Sequence, residues 1–97
     1  MQVAIIPIAD RHVEFADEIA KQYKEAGLRV KVDARSDRMN AKIRDAQKEK
    51  IPYMLVIGDR EMEDRQVALR RRSGENLGAM DVDAFLALAL QEIADKV

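Results

Sequence analysis

Two side chains in this sequence, Glu61 and Arg70, carry the complementary chemistry needed to read exposed bases of a single-stranded nucleic acid. A carboxylate accepts hydrogen bonds from the N1–H and N2–H₂ of guanine, but only when that base is unpaired and splayed out. Proteins generally read single-stranded RNA loops in this way. A guanidinium fork donates to the carbonyl oxygens of an exposed uracil, or to phosphates. Arg70 opens a run of three arginines, and on an extended chain Arg70 and Arg72 share one side while Arg71 takes the other. By itself such a run is weak evidence, because exposed strand edges carry charge that discourages aggregation. Aromatic residues for base stacking are few, Phe15, Tyr23, Tyr53 and Phe85, so arginine planes would have to do the stacking.

Other chemistries fare worse. His12 is the only histidine and follows a residue suited to capping a helix, so a surface position in the first helical turn is expected of it rather than a catalytic role. Asp10, Asp33 and Asp59 could imitate the acidic cluster of a phosphoacceptor domain, yet no lysine falls on a loop at the matching edge. Glu61 and Glu63, read as part of an extended segment, point the same way and could do acid/base work, but nothing else assembles around them. The four glycines are isolated and read as caps and turns, not as a phosphate-cradling loop. Cysteine is absent, which removes disulfides and thiolate metal sites.

The elements that would hold these residues follow from periodicity. Val3 to Ile8 is a continuous β-branched run, a strand buried on both faces. Asp10 can cap a helix with the stripe Val13, Ala16, Ile19, Ala20, Tyr23 and Ala26, stopped by Gly27. Leu28 to Val32 alternates apolar and basic residues, as an edge strand does. Ser36 or Asp37 can cap a second helix from about Arg38 to Glu49, with a narrow apolar face of Met39, Ile43 and Ala46. Pro52 ends it, and Tyr53 to Ile57, the most apolar run, is placed centrally. Val67 to Arg72 and Asn76 to Met80 read as two short strands turned at Ser73-Gly74. Asp81 then caps a last helix whose inner face is Val82, Leu86, Ala89, Leu90, Ile93 and Val97.

The expected order is β-α-β-α-β-β-β-α: a three-layer α/β/α fold with a five-stranded mixed sheet. Right-handed crossovers make the first three strands parallel in the order 2-1-3, and the fourth returns antiparallel. Ligands of such sheets bind beyond the carboxyl ends of the parallel strands. Three loops meet there, at Ala9-Asp10-Arg11, Asp33 to Ser36, and Gly58 to Glu61, and helix N-termini at that edge favour anions.

Composition bounds the rest. Residues 1–97 suit one domain with a real core, and no apolar stretch is long enough to span a membrane. With no signal-peptide pattern at the N-terminus, a soluble cytoplasmic protein is expected. The net charge of −1 hides an uneven distribution. Residues 28–72 carry thirteen basic and eight acidic groups, whereas 1–27 carry three and five, and 73–97 one and five. A basic island between acidic flanks suits a local polyanion footprint, with a plain solvated face as the competing reading.

The wording of these segments also resembles a known family. PYMLVIGDREME followed by VALRRRSGENLGAMDV is similar to the C-terminal anticodon-binding domain of threonyl-tRNA synthetases. QVAIIPI, EAGLRVKVDAR and NAKIRDAQKEKIPYMLVIGDRE extend the likeness through nearly the whole chain. The joint pattern of KIR, PYMLVIGD-x-E, VALRRR and LGAM is more specific than any one piece. Histidyl-, prolyl- and glycyl-tRNA synthetases share the fold with looser wording.

Threonine anticodons end in guanine then uracil, and the resemblance implies that Glu61 and Arg70 read those two bases. The loop that usually offers Arg-Asn is Arg35-Ser36 here, and a serine cannot form the paired contacts of an amide. Arg38 is grouped with these as anticodon-binding, and Lys42 and Arg72 as phosphate-contacting. The implied partners are the anticodon loop of threonine tRNA and the rest of a parent synthetase. The catalytic core, with its ATP, magnesium, threonine and zinc sites, is not in these residues, so no cofactor and no catalysis are expected of this chain alone. Members of the same fold also serve as partner-binding modules, as in the accessory subunit of a mitochondrial DNA polymerase. A stand-alone protein- or nucleic-acid-interaction module is therefore the alternative.

Overall fold

The computed structural model describes residues 3–33, 39–71 and 75–95. Two strands are buried along their whole length: β1 (Val3–Pro7) and β3 (Tyr53–Ile57). That is the behaviour of continuous apolar runs, which have no wet face to offer. They pair in parallel with Val3 opposite Tyr53 and Pro7 opposite Ile57. The short β2 (Val30–Val32) flanks β1 in parallel, and β4 (Gln66–Arg71) returns antiparallel beside β3. Beyond it, β5 (Asn76–Asp81) forms the other edge, giving the order β2-β1-β3-β4-β5. The mixed sheet, its parallel trio and its 2-1-3 order match the sequence expectation.

Side-chain alternation along these strands builds two cores. On one face, Val3, Ile5, Tyr53, Leu55, Ile57, Val67 and Leu69 meet the inner sides of α1 (Val13–Glu25) and α4 (Val82–Asp95). On the other, Ala4, Ile6, Met54 and Val56 meet Ile43 and Ala46 of α2 (Met39–Lys48), together with Ile51. The faces are unequal because two helices cover the first and one covers the second.

Both long connections end their helices in the same way. Gly27, at φ +103°, lets its own N–H reach the Lys24 carbonyl (3.0 Å) and that of Leu28 reach the Tyr23 carbonyl (3.0 Å). This paired 5→2 and 6→1 bonding satisfies carbonyls that a helix C-terminus otherwise leaves open. At the end of α2 the same pair forms between Lys50 N and Gln47 O and between Ile51 N and Ala46 O, both 3.1 Å. There the left-handed residue is Lys50 (φ 61°), which has a side chain where glycine is favoured.

Three features differ from expectation. Residues 59–64, expected as a turn on an extended segment, form a helix, α3 (Asp59–Asp64). Its only sizeable apolar residue, Met62, packs against the larger core, and Arg65 (φ 54°) ends it, so a helix this short shows no periodicity in the sequence. On α4 the inward residues are Val82, Phe85 and Ala89, while Leu90 is exposed. The Phe85 ring sits between Tyr23 and Tyr53, each 5.6 Å away by ring centroid, and that contact sets the rotation of the helix. Asp10 does not begin α1 but opens a single 3₁₀ turn, Asp10–His12, ahead of it. The second-helix cap at Ser36 or Asp37 and the turn at Ser73-Gly74 lie outside the described residues.

Candidate nucleic-acid interface

Glu61 is the third residue of α3, just past the carboxyl end of β3. The strand-to-helix corner is made at Gly58, which is buried in the crook between Ile8 and Glu61. A Cβ there would stand 3.0 Å from Ile8 Cδ1 and 3.4 Å from Glu61 Oε2. The Glu61 carboxylate is half-buried and makes no side-chain hydrogen bond or ion pair among the described residues.

Arg70 lies opposite Met54 on β3 and Asn76 on β5. It falls on the face of the smaller core, beyond the cover of α2, and likewise has no side-chain partner among the described residues. β5 carries one extra residue at this point: Leu69 faces Gly78 and Arg70 faces Asn76, leaving Leu77 between. Such a bulge re-aims neighbouring side chains. Gly78 (φ +82°) makes it possible, and its N–H is held by Asn76 Oδ1 at 2.9 Å. Gly58 lies four residues past Met54 along β3, about 13 Å at the usual strand rise. Glu61 and Arg70 are thus well separated along the direction of β3.

Arg71, on the opposite face, is spoken for. Its guanidinium donates to Glu92 Oε1 (3.0 Å) and lies 5.7 Å from the Tyr53 ring centroid. The alternation of Arg70 and Arg71 is as expected, but Arg71 is a tie between β4 and α4, not a loose surface charge. Lys42 requires a correction. It is 4% exposed, and its Nζ donates to the Pro7 carbonyl at 3.1 Å. An ammonium buried against the end of β1 is not presented to phosphates; its stem serves the inner face of α2. Arg35, Ser36, Arg38 and Arg72 lie outside the described residues.

The third strand-end loop holds the arrangement that sequence reasoning missed. His12, expected on the surface, is 1% exposed. Its Nδ1 accepts the Ala9 N–H (3.1 Å), which leaves the proton on Nε2, and that nitrogen donates to Asp59 Oδ1 (2.7 Å). Arg11 grips both oxygens of the same carboxylate, Nε to Oδ1 at 2.7 Å and Nη2 to Oδ2 at 2.6 Å. Hydrogen bonds from Arg11 first and His12 second hold the Asp59 carboxyl well below the usual carboxylate range, and the Arg11 guanidinium is pushed up in turn. Asp59 is therefore engaged rather than poised as a phosphoacceptor, and Asp33 is buried with a partner of its own. No group of three or more His, Cys, Asp or Glu among the described residues is placed to hold a metal. The only sequence signal for His12 was that it directly follows the Ala9-Asp10-Arg11 loop, expected at the same edge as Gly58-Asp59.

Charge segregates across the sheet. α1 and α4 together carry seven acidic and two basic residues, whereas α2 carries one acidic and, besides the buried Lys42, two basic residues, Arg44 and Lys48. The side that presents Arg70 is accordingly the side fit for a polyanion.

Comparison with known proteins places this mixed α/β sheet in a family. Residues 2–92 match the model of the Anticodon binding domain family, and the chain belongs to that family. Within it the sequence is similar to threonine enzymes. The chain is 48% identical over 98% of its length to a threonine–tRNA ligase of Aquifex aeolicus, and 48% identical over 99% to one of Desulforamulus reducens. It spans only 15% of the length of each. Among solved structures, the RNA binding domain of threonyl-tRNA synthetase from Cryptosporidium parvum Iowa II superposes with a TM-score of 0.87 at 28% identity, covering 93% of this chain and 23% of that one. Histidyl-tRNA synthetase from Nostoc sp. PCC 7120 also reaches 0.87, at 19% identity over 95% of this chain and 22% of its own, and shares the fold. No helix among the described residues is long and apolar enough to cross a membrane.

Proposed function

We propose that this chain, as a single domain over residues 1–97, binds the anticodon loop of threonine tRNA, with Glu61 reading the guanine and Arg70 the uracil. The observation that carries the reading is that these two ionisable side chains have no partner among the described residues, Glu61 just past the carboxyl end of β3 and Arg70 on the sheet face that α2 covers only in part. A half-buried carboxylate without a partner loses hydration and regains it from a donor pair such as guanine N1–H and N2–H₂. Arg70 offers a fork to the carbonyls of uracil. Arg35, Ser36 and Arg38 belong to the proposed anticodon-binding set, and Arg72 to phosphate contact. Lys42 supports the site only through the helix it anchors.

The threonine–tRNA ligases it resembles are far longer, so the domain would work beside a catalytic core that handles ATP, magnesium and zinc in the cytoplasm. Anticodon reading itself needs no cofactor. Glu61→Ala tests the assignment on stem-loops bearing guanine or adenine at the second anticodon base. The mutant should lose about 1–3 kcal/mol of discrimination, as for a good bidentate contact. Equal preference in mutant and wild type would remove Glu61 from the reading.

A further inference from the structure

His12 is buried, with both ring nitrogens bonded inside the protein. It joins the loop after β1 to the first residue of α3, two positions before Glu61. We infer that His12 is a positioning residue: with Arg11 it clamps Asp59, and so fixes the β3–α3 corner from which Glu61 projects. This inference rests on the anticodon reading proposed above and names what holds its reading carboxylate in place.

Three observations support the clamp. The two loops are already stitched by the Ile8 N–H on the Ile57 carbonyl (2.9 Å), which extends the β1–β3 ladder to the corner. Ile8 also packs at Gly58, so the corner is backed by apolar contact on one side and by the Asp59 bonds on the other. The first turn of α3 has no side-chain cap at Gly58, and its Met62 N–H to Gly58 O bond (3.0 Å) depends on Gly58-Asp59 staying where they are. A six-residue helix is too short to hold itself in water, so an external anchor decides its order. Arg11 and Asp59 are each 63% exposed and would hold weakly by themselves. The buried imidazole, with no freedom to turn away, makes the link directional.

Two substitutions separate positioning from plain structure. His12→Asn keeps an oxygen near the Nδ1 position to accept the Ala9 N–H, and loses the reach to Asp59. His12→Gln extends an amide N–H toward Asp59 and gives up the Ala9 bond. In the 97-residue chain, hydrogen exchange at Met62 N–H should quicken about tenfold in His12→Asn relative to the Leu55 amide in the central strand, which reports global opening. In His12→Gln the ratio of Met62 to Leu55 exchange should stay near that of wild type, whatever the overall stability. An unchanged ratio in His12→Asn overturns the clamp. On guanine- and adenine-bearing stem-loops, His12→Asn should lose most of the wild-type preference, about tenfold for one good base contact, and His12→Gln should restore it. Full preference in His12→Asn overturns the positioning role. A wild type with no base preference would sink the anticodon reading instead, and the exchange ratio would still decide the clamp.

Discussion

Gly58→Ala should separate base reading from folding, because the added methyl meets two neighbours of different kinds. It would stand 3.0 Å from Ile8 Cδ1, the far end of a side chain that is 51% exposed and can take another rotamer. A staggered alternative or a small distortion there costs about 0.5–1.5 kcal/mol. Gly58 has φ −117° and ψ −167°, extended backbone open to alanine, so the substitution also narrows the unfolded ensemble, worth about 0.4–1 kcal/mol in favour of folding. The two nearly cancel, and the melting temperature should move by no more than about 4–8 °C in either direction. The second neighbour is Glu61 Oε2 at 3.4 Å, ordinary van der Waals contact, but any carboxylate rotamer leaning over the glycine to meet a base becomes crowded. Discrimination between guanine and adenine should therefore fall by a sizeable part of the roughly 1–3 kcal/mol assigned to Glu61, with overall affinity falling no further than that loss requires. Thermal melting and fluorescence titration of paired stem-loops give both quantities. Retention of full guanine preference, or a melting temperature lowered well past that window, would refute the reasoning.

The other expectations are briefer. Arg70→Ala should alter preference between loops ending in uracil and cytosine without loss of stability, whereas Arg71→Ala, which loses Glu92 and the Tyr53 ring, should cost about 1 kcal/mol of folding and leave base preference alone; melting and binding curves on both mutants distinguish these results. Lys50→Gly removes the left-handed strain at the end of α2 and should stabilise by about 0.5–1 kcal/mol, read as a rise in melting temperature. Burial first, and the nearby Asp83 second, push the Tyr23 phenol up above its ordinary value. A raised value in the folded state means stability that is complete below about pH 10 and lost as pH climbs toward the folded value. Alkaline unfolding should show this loss, and Tyr23→Phe, which lacks the 2.8 Å bond to the Val82 carbonyl, should not.

Much of the fold was legible because its strongest signals are local. Val3 to Pro7 and Tyr53 to Ile57 are apolar runs that can only be doubly covered strands, and Gly27 marks the end of α1 where a positive φ is required. What stayed hidden depends on contacts distant in sequence. α3 is ordered by Met62 packing on the core and by Asp59 bonding across 47 positions to His12, neither of which has a period. His12 and Lys42 read as surface residues because polar types usually are. Each is buried with its polar atoms bonded to a loop or strand end that only the folded chain brings near. Phe85 displaced Leu90 from the inner face of α4 because two tyrosine rings from other elements were waiting for it. At the candidate site, Glu61 and Arg70 were nominated by their chemistry and by family likeness. The clamp beside Glu61 was not, since it is built from three residues that look like an ordinary turn.

The most direct test of the account is titration of the wild-type chain with a labelled threonine anticodon stem-loop, alongside the same loop with its guanine and then its uracil replaced. At about 50 mM salt the native loop should bind, each replacement should weaken binding by about tenfold or more, and affinity should fall steeply toward about 200 mM as phosphate contacts give way to counterions. Equal binding of all three loops would leave only a basic surface, and no binding even at low salt would contradict the account outright.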